Sequence, residues 1–131
     1  MSTGETNLAL LLKNMHPVLN PGHYVFCTAD RINGLDSSGM VGFFKEAEGY
    51  TVILPQAQAD DWQLPYHGTL AWITLTVHSS LEAVGLTAAF ANALAAVNIS
   101  CNTVAGYYHD HIFVPHADAE KAMETLLALT V

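Results

Sequence analysis

From Leu70 to His78 the chain alternates. Ala71, Ile73, Leu75 and Val77 fall on one face and Trp72, Thr74, Thr76 and His78 on the other, the period-2 pattern of a strand with one covered face. The period then becomes helical: Leu86, Phe90, Ala93, Leu94 and Val97 share a stripe, and the alanines between them let the helix lie close on a sheet. Ser79 and Glu82 form a capping box, which predicts a helix start near Ser80, and Asn98, tolerant of left-handed backbone, predicts its end. Ile99 to Ala105 and Asp110 to Val114 read as an antiparallel hairpin turning through Gly106 to His109. Ala119, Ala122, Met123, Leu126 and Leu127 make a second helical stripe, with Asp118 and Glu120 in its first turn, and Leu129 to Val131 leave room for an edge strand.

The first half is less regular. Ser2 and Glu5 predict a helix cap, followed by a stripe of Leu8, Leu11, Leu12 and Met15 that Pro17 stops. Asn20-Pro21-Gly22 reads as a turn, and the strand His23 to Thr28 follows it. Val41 to Ala47 and Tyr50 to Leu54 read as a hairpin, and Gln56 to Trp62 as a short helix. Between them, Ala29 to Gly39 is rich in turn formers and long for so small a domain, the mark of a functional or mobile loop. The first half is thus αβββα and the second βαββα with room for a final strand. The second order is the split βαβ arrangement of an α+β, ferredoxin-like fold.

Composition narrows the function classes. A chain of 131 residues, 51% hydrophobic and 12% charged, is folded and is one domain or two small ones sharing a core. A net charge of −8 with four Lys and Arg argues against nucleic acid and against an acidic membrane surface. The sequence lacks an apolar run of spanning length and its N-terminus lacks the pattern of a signal peptide, so a cytoplasmic location is expected. Cys27 and Cys101 stand singly, as reduced thiols.

The run from Val77 to Ser100, VHSSLEAVGLTAAFANALAAVNIS, resembles the signature of ACT domains. Gly85 falls on the signature glycine, Glu82 on the acidic position before it, and Asn98-Ile99 on the helix exit. Val84 stands where the family often has proline or arginine, and Asn98 where it often has glycine. The whole chain is similar to a family of short bacterial proteins with tandem ACT domains, notably across VHSSLEAVGLTAA and YYHDHIFVP. The resemblance implies a diverged ACT-like unit at residues 1–67 and an ACT domain at 68–131, packed together as βαββαβ units. It also implies a stand-alone regulatory protein that binds an amino acid or similar metabolite and acts in trans on an enzyme or transporter. Catalysis and a cofactor are not expected, and exposed sheet edges favour a homodimer.

The ligand is expected against the start of the second-half helix. Its carboxylate would meet backbone amides there, and Glu82 would face its ammonium group. The candidate residues are His78, Ser79, Ser80, Leu81, Glu82, Ala83, Val84 and Gly85, with Asn102, Thr103, Val104 and Ala105 on the neighbouring strand. Gly85→Val is expected to abolish binding and spare the fold. The alternative is a small enzyme or metal-binding protein using His78, His109, Asp110 and His111, which the strand order gathers at one sheet end; two ligands on one face fall short of the four of a structural zinc site. Ser79 and Glu82 serving only as a cap, and Trp72 only as packing, are the plainer readings.

Overall fold

The computed structural model describes residues 7–76 and 85–131. The chain divides into two compact units, one formed by Met1–Pro21 with Ala71–Val131 and the other by Gly22–Leu70. The elements, in order, are α1 (Leu8–Lys13), β1 (His16–Ala29), β2 (Gly42–Glu46), β3 (Gly49–Pro55), α2 (Gln56–Asp61), β4 (Leu70–Thr76), α3 (Leu86–Ala96), β5 (Asn102–Ala105), β6 (Asp110–Pro115) and α4 (Ala119–Ala128), with short 3-10 turns at Ser37–Gly39 and His116–Asp118.

In the discontinuous unit the strands run in the order β1-β4-β6-β5. This is ferredoxin-like order, with the outer strand beside β4 supplied by the start of β1. The alternation of β4 is as expected: Ala71, Ile73 and Leu75 are buried, and the residues between them are half-buried. They join Leu86, Phe90 and Leu94 of α3, Ala122 and Leu126 of α4, and Leu11 of α1 in one apolar cluster. α3 closes in a Schellman motif: Ile99 N–H bonds to the Leu94 carbonyl and Asn98 N–H to that of Ala95, both at 2.9 Å, with Asn98 at φ +63°. Lys121 Nζ donates to the Val97 carbonyl at 2.9 Å, placing a cation at that helix end. The hairpin pairs Asn102 with Phe113 and Ala105 with Asp110, leaving Gly106 to His109 as the expected turn.

In the continuous unit the order is β2-β3-β1. Val25, Cys27, Val52 and Leu54 face Ala59 of α2 in a smaller cluster. Where the other unit has α3 between its first two ferredoxin strands, this one has the stretch from Asp30 to Val41 with a single 3-10 turn, capped by Asp36, whose Oδ1 accepts from Ser38 N–H at 3.0 Å.

Three expectations change. Asn20-Pro21-Gly22 is not a turn: β1 runs through it, because proline φ suits extended backbone and Gly22 takes φ +112°, where a side chain would be strained. α1 ends at Lys13, before Pro17, and its described cap is Asn7, whose Oδ1 accepts from Leu10 N–H; Ser2 and Glu5 lie outside the described residues. α3 begins at Leu86 behind Gly85, and the expected cap residues Ser79, Ser80 and Glu82 lie outside the described residues. Leu129 to Val131 add no strand, since the amides of Leu129 and Thr130 turn back to the carbonyls of Leu126 and Leu127. Among the described residues, no helix is long and apolar enough to cross a membrane.

Candidate functional site

Of the expected site, Gly85 and the β5 residues Asn102, Thr103, Val104 and Ala105 are described; His78 to Val84 lie outside the described residues. Gly85 is the N-cap of α3 at φ +96° and has no side chain with which to cap it. Its carbonyl accepts from Ala89 N–H at 2.8 Å, the first intrahelical bond, so the amides ahead of Ala89 have no intrahelical partner. A Cβ on Gly85 would come within 3.3 Å of Leu8 Cδ2, so α1 already stands over this position. All four β5 residues are exposed.

A second cluster lies on one face of the same unit. Trp72 Nε1 donates to His111 Nδ1 at 3.0 Å, and Thr74 Oγ1 is 3.1 Å from that nitrogen. Asn20 Nδ2 donates to Thr74 Oγ1 at 2.9 Å and to the Trp72 carbonyl at 3.2 Å. The Trp72 ring stacks on Phe113, centroids 6.2 Å apart. An indole N–H can only donate, so Nδ1 of neutral His111 is an acceptor and the ring proton sits on Nε2. Protonation would turn two donors on each other. Burial, helped by the neighbouring His109, pushes the His111 pKa down, and Asp110 opposes this. Burial pushes the Asp110 carboxyl up, against the pull of His111.

This geometry gives His111 a fixed tautomer and ties it to Trp72 and Thr74. The centroids of His109 and His111 are 6.4 Å apart. Among the described residues no group of three His, Cys, Asp or Glu could hold a metal ion. Trp72, Thr74 and His111 could be placed on one face from their period; Asn20 could not, because the Asn-Pro-Gly turn signal hides that it lies in a strand. Sequence reasoning also missed a pocket in the continuous unit, walled by Phe26, Pro65 and Tyr66. Burial raises both free thiols, Cys27 and Cys101, which favours their neutral form.

An ACT domain family model matches residues 3–71 and a second ACT domain model matches residues 69–128. A Vibrio cholerae protein of unknown function, described as a possible transport protein, is 45% identical, with 96% of this chain and 98% of that one covered at a TM-score of 0.86. An Agrobacterium tumefaciens protein is 15% identical over 88% of this chain and 89% of its own, at 0.75. The regulatory subunit of aspartate kinase from Thermus thermophilus is 9% identical over 88% and 97%, at 0.61. These last two show likeness of fold alone. No curated protein matches the chain. Matched over both halves, the chain belongs to the ACT-domain family and carries two such domains in tandem.

Proposed function

We propose that this is a regulatory ACT-domain protein that binds an amino acid or a similar small metabolite, with the ligand at residues 78–85 and at Asn102 to Ala105. The observation that carries the reading is the start of α3: Gly85 leaves the first helical amides without a side-chain cap, and such amides with the helix dipole suit a carboxylate. Glu82 supplies a charge for the ammonium group. The exposed strands β5 and β2, the latter bearing Phe43 and Phe44, support a homodimer. Composition supports a cytoplasmic place, and an enzyme or transporter acted on in trans is the target class. The description of the Vibrio relative as a possible transport protein fits the second.

Gly85→Val is not the clean test it promises to be from sequence. At φ +96°, with Leu8 at 3.3 Å, a valine strains the backbone and crowds α1, so lost binding would not be separable from lost structure. Glu82→Gln is the better variant. In a thermal-shift screen of the proteinogenic L-amino acids, at least one should raise the melting temperature of the parent by mass action and do so far less in Glu82→Gln, with sedimentation of the same samples showing a dimer. A screen in which no amino acid moves the parent would remove the proposal.

A further inference from the structure

We propose that the unit Gly22–Leu70 carries a separate small-molecule site, for an aromatic amine, in the pocket between β1 and the Pro65–His67 stretch. It shares no residue with the site at 78–85 and stands or falls independently of it. The pocket has a volume of about 380 Å³, toward the lower end of what small-molecule sites occupy. Phe26, Pro65 and Tyr66 give it ring walls, while Thr28, Thr51 and His67 give it polar ones. The Tyr66 wall is held in place: its hydroxyl donates to Asp60 Oδ1 at 2.8 Å and accepts from Gln56 Nε2 at 2.9 Å, both on α2. A wall fixed before binding spares the ligand the entropy of ordering it.

Charge selects the ligand class. Thr28 and Thr51 are cross-strand partners, so their side chains share a face. Thr51 is also opposite Phe44, and Glu46, two residues further along β2, falls on that face as well. Thr51 Oγ1 donates to Glu46 Oε1, which brings a carboxylate to one flank of the pocket. The Asp60 carboxylate stands behind Tyr66 on the other. Lys45 pairs with Tyr50 and alternates to the opposite face, so the cation of this hairpin is turned away. Cys27, part of the lining, is kept as a neutral thiol by burial and by Asp60. A carboxylate or phosphate would meet two carboxylates here. An ammonium group would face Glu46 while its aromatic ring lies among Phe26, Pro65 and Tyr66, an arrangement that aromatic faces also favour for cations.

The test is a two-dimensional amide NMR titration of the full chain with 2-phenylethylamine and, separately, with 3-phenylpropanoate, its anionic counterpart. The amine should give saturable shifts at Phe26, Thr28, Thr51, Tyr66 and His67, and the acid should not. Thr28 is exposed, so Thr28→Phe fills the pocket from a position where an aromatic suits a strand, and it should remove the shifts while the rest of the spectrum stays in place. Glu46→Gln, also at an exposed position, should weaken the amine about two- to five-fold, the range of an exposed ion pair. No saturation, saturation by both compounds alike, or shifts centred outside these residues would each overturn the assignment.

Discussion

The two units answer the same ferredoxin-like plan with unequal cores. Among the described residues of the discontinuous unit the cluster of buried side chains has 13 members, from Leu11 through Phe90 to Leu126. In the continuous one it has five, Val25, Cys27, Val52, Leu54 and Ala59. The difference traces to one connection. Where α3 lays Leu86, Phe90 and Leu94 on its sheet, the stretch from Asp30 to Val41 contributes half-buried Ile32 and Met40 to the edge of the smaller cluster. Apolar area removed from water is the main favourable contribution to folding, so the unit with the loop should open first.

The largest expected effect comes from the larger core. Phe90 is wholly buried, and Phe90→Ala should cost about 3–5 kcal/mol. Leu54→Ala, equally buried, should cost about 2–5 kcal/mol. Urea unfolding followed by hydrogen exchange checks whether Leu54→Ala speeds exchange in β1 and β3 alone while Phe90→Ala speeds it everywhere. Equal acceleration of every amide by both would erase the distinction between the units.

A smaller change should sharpen it. α2, like α3, ends in a Schellman motif, with Leu64 N–H on the Ala59 carbonyl and Gln63 N–H on that of Asp60. Its left-handed residue is Gln63, at φ +57°, a conformation that costs an ordinary side chain about 1–2 kcal/mol. Gln63→Gly should therefore stabilise the weaker unit by about 1 kcal/mol. Asn98→Gly should gain less, because asparagine tolerates φ +63°. A higher urea midpoint for Gln63→Gly, with a near-parental one for Asn98→Gly, is the expected result.

The smallest effect is a pH slope confined to the discontinuous unit. Burial holds the folded His111 pKa below its ordinary 6.5, so the unfolded chain binds the extra proton. The resulting stability is present above pH 6.5 and is lost as pH falls through the folded value. Asp110 has the opposite sign: its folded pKa is raised from 3.8, so its contribution is present below that value and lost as pH rises through the folded one. In His111→Gln the fall in stability just below pH 6.5 should flatten, measured by urea midpoints across that range. A slope unchanged from the parent would show that the histidine is not held neutral.

The second half of the fold was readable because each element announced itself through its own period. β4 alternates over its whole length, and α3 ends where Asn98 said it would. β1 was not readable as one strand, since Pro17, Pro21 and Gly22 are local breakers whose effect was overruled by pairing: Asn20 and His16 bond to Thr74 and Thr76 of β4, far away in sequence. At the start of α3 the helical stripe from Leu86 was legible, and Gly85 in left-handed backbone marks the turn before it, while the capping-box residues Ser79 and Glu82 lie outside the described residues. Of the candidate residues, the strand carrying Asn102 to Ala105 was legible from its pattern, although it begins at Asn102 and not at Ile99. The hydrogen bonds of Trp72 to His111 were not, because they join residues whose proximity only the finished sheet provides.

β1 belongs to one unit up to Pro21 and to the other from Gly22 onward, which bears on the order in which the chain is made. On a ribosome, Gly22 to Leu70 emerge as a complete contact set, while Leu11 and Met15, each 1% exposed at the end, must wait for β4, α3 and α4 to be translated. At roughly 5–20 residues per second that wait is on the order of ten seconds. For that interval the apolar face of α1 has none of its eventual partners in β4, α3 and α4 to bury against.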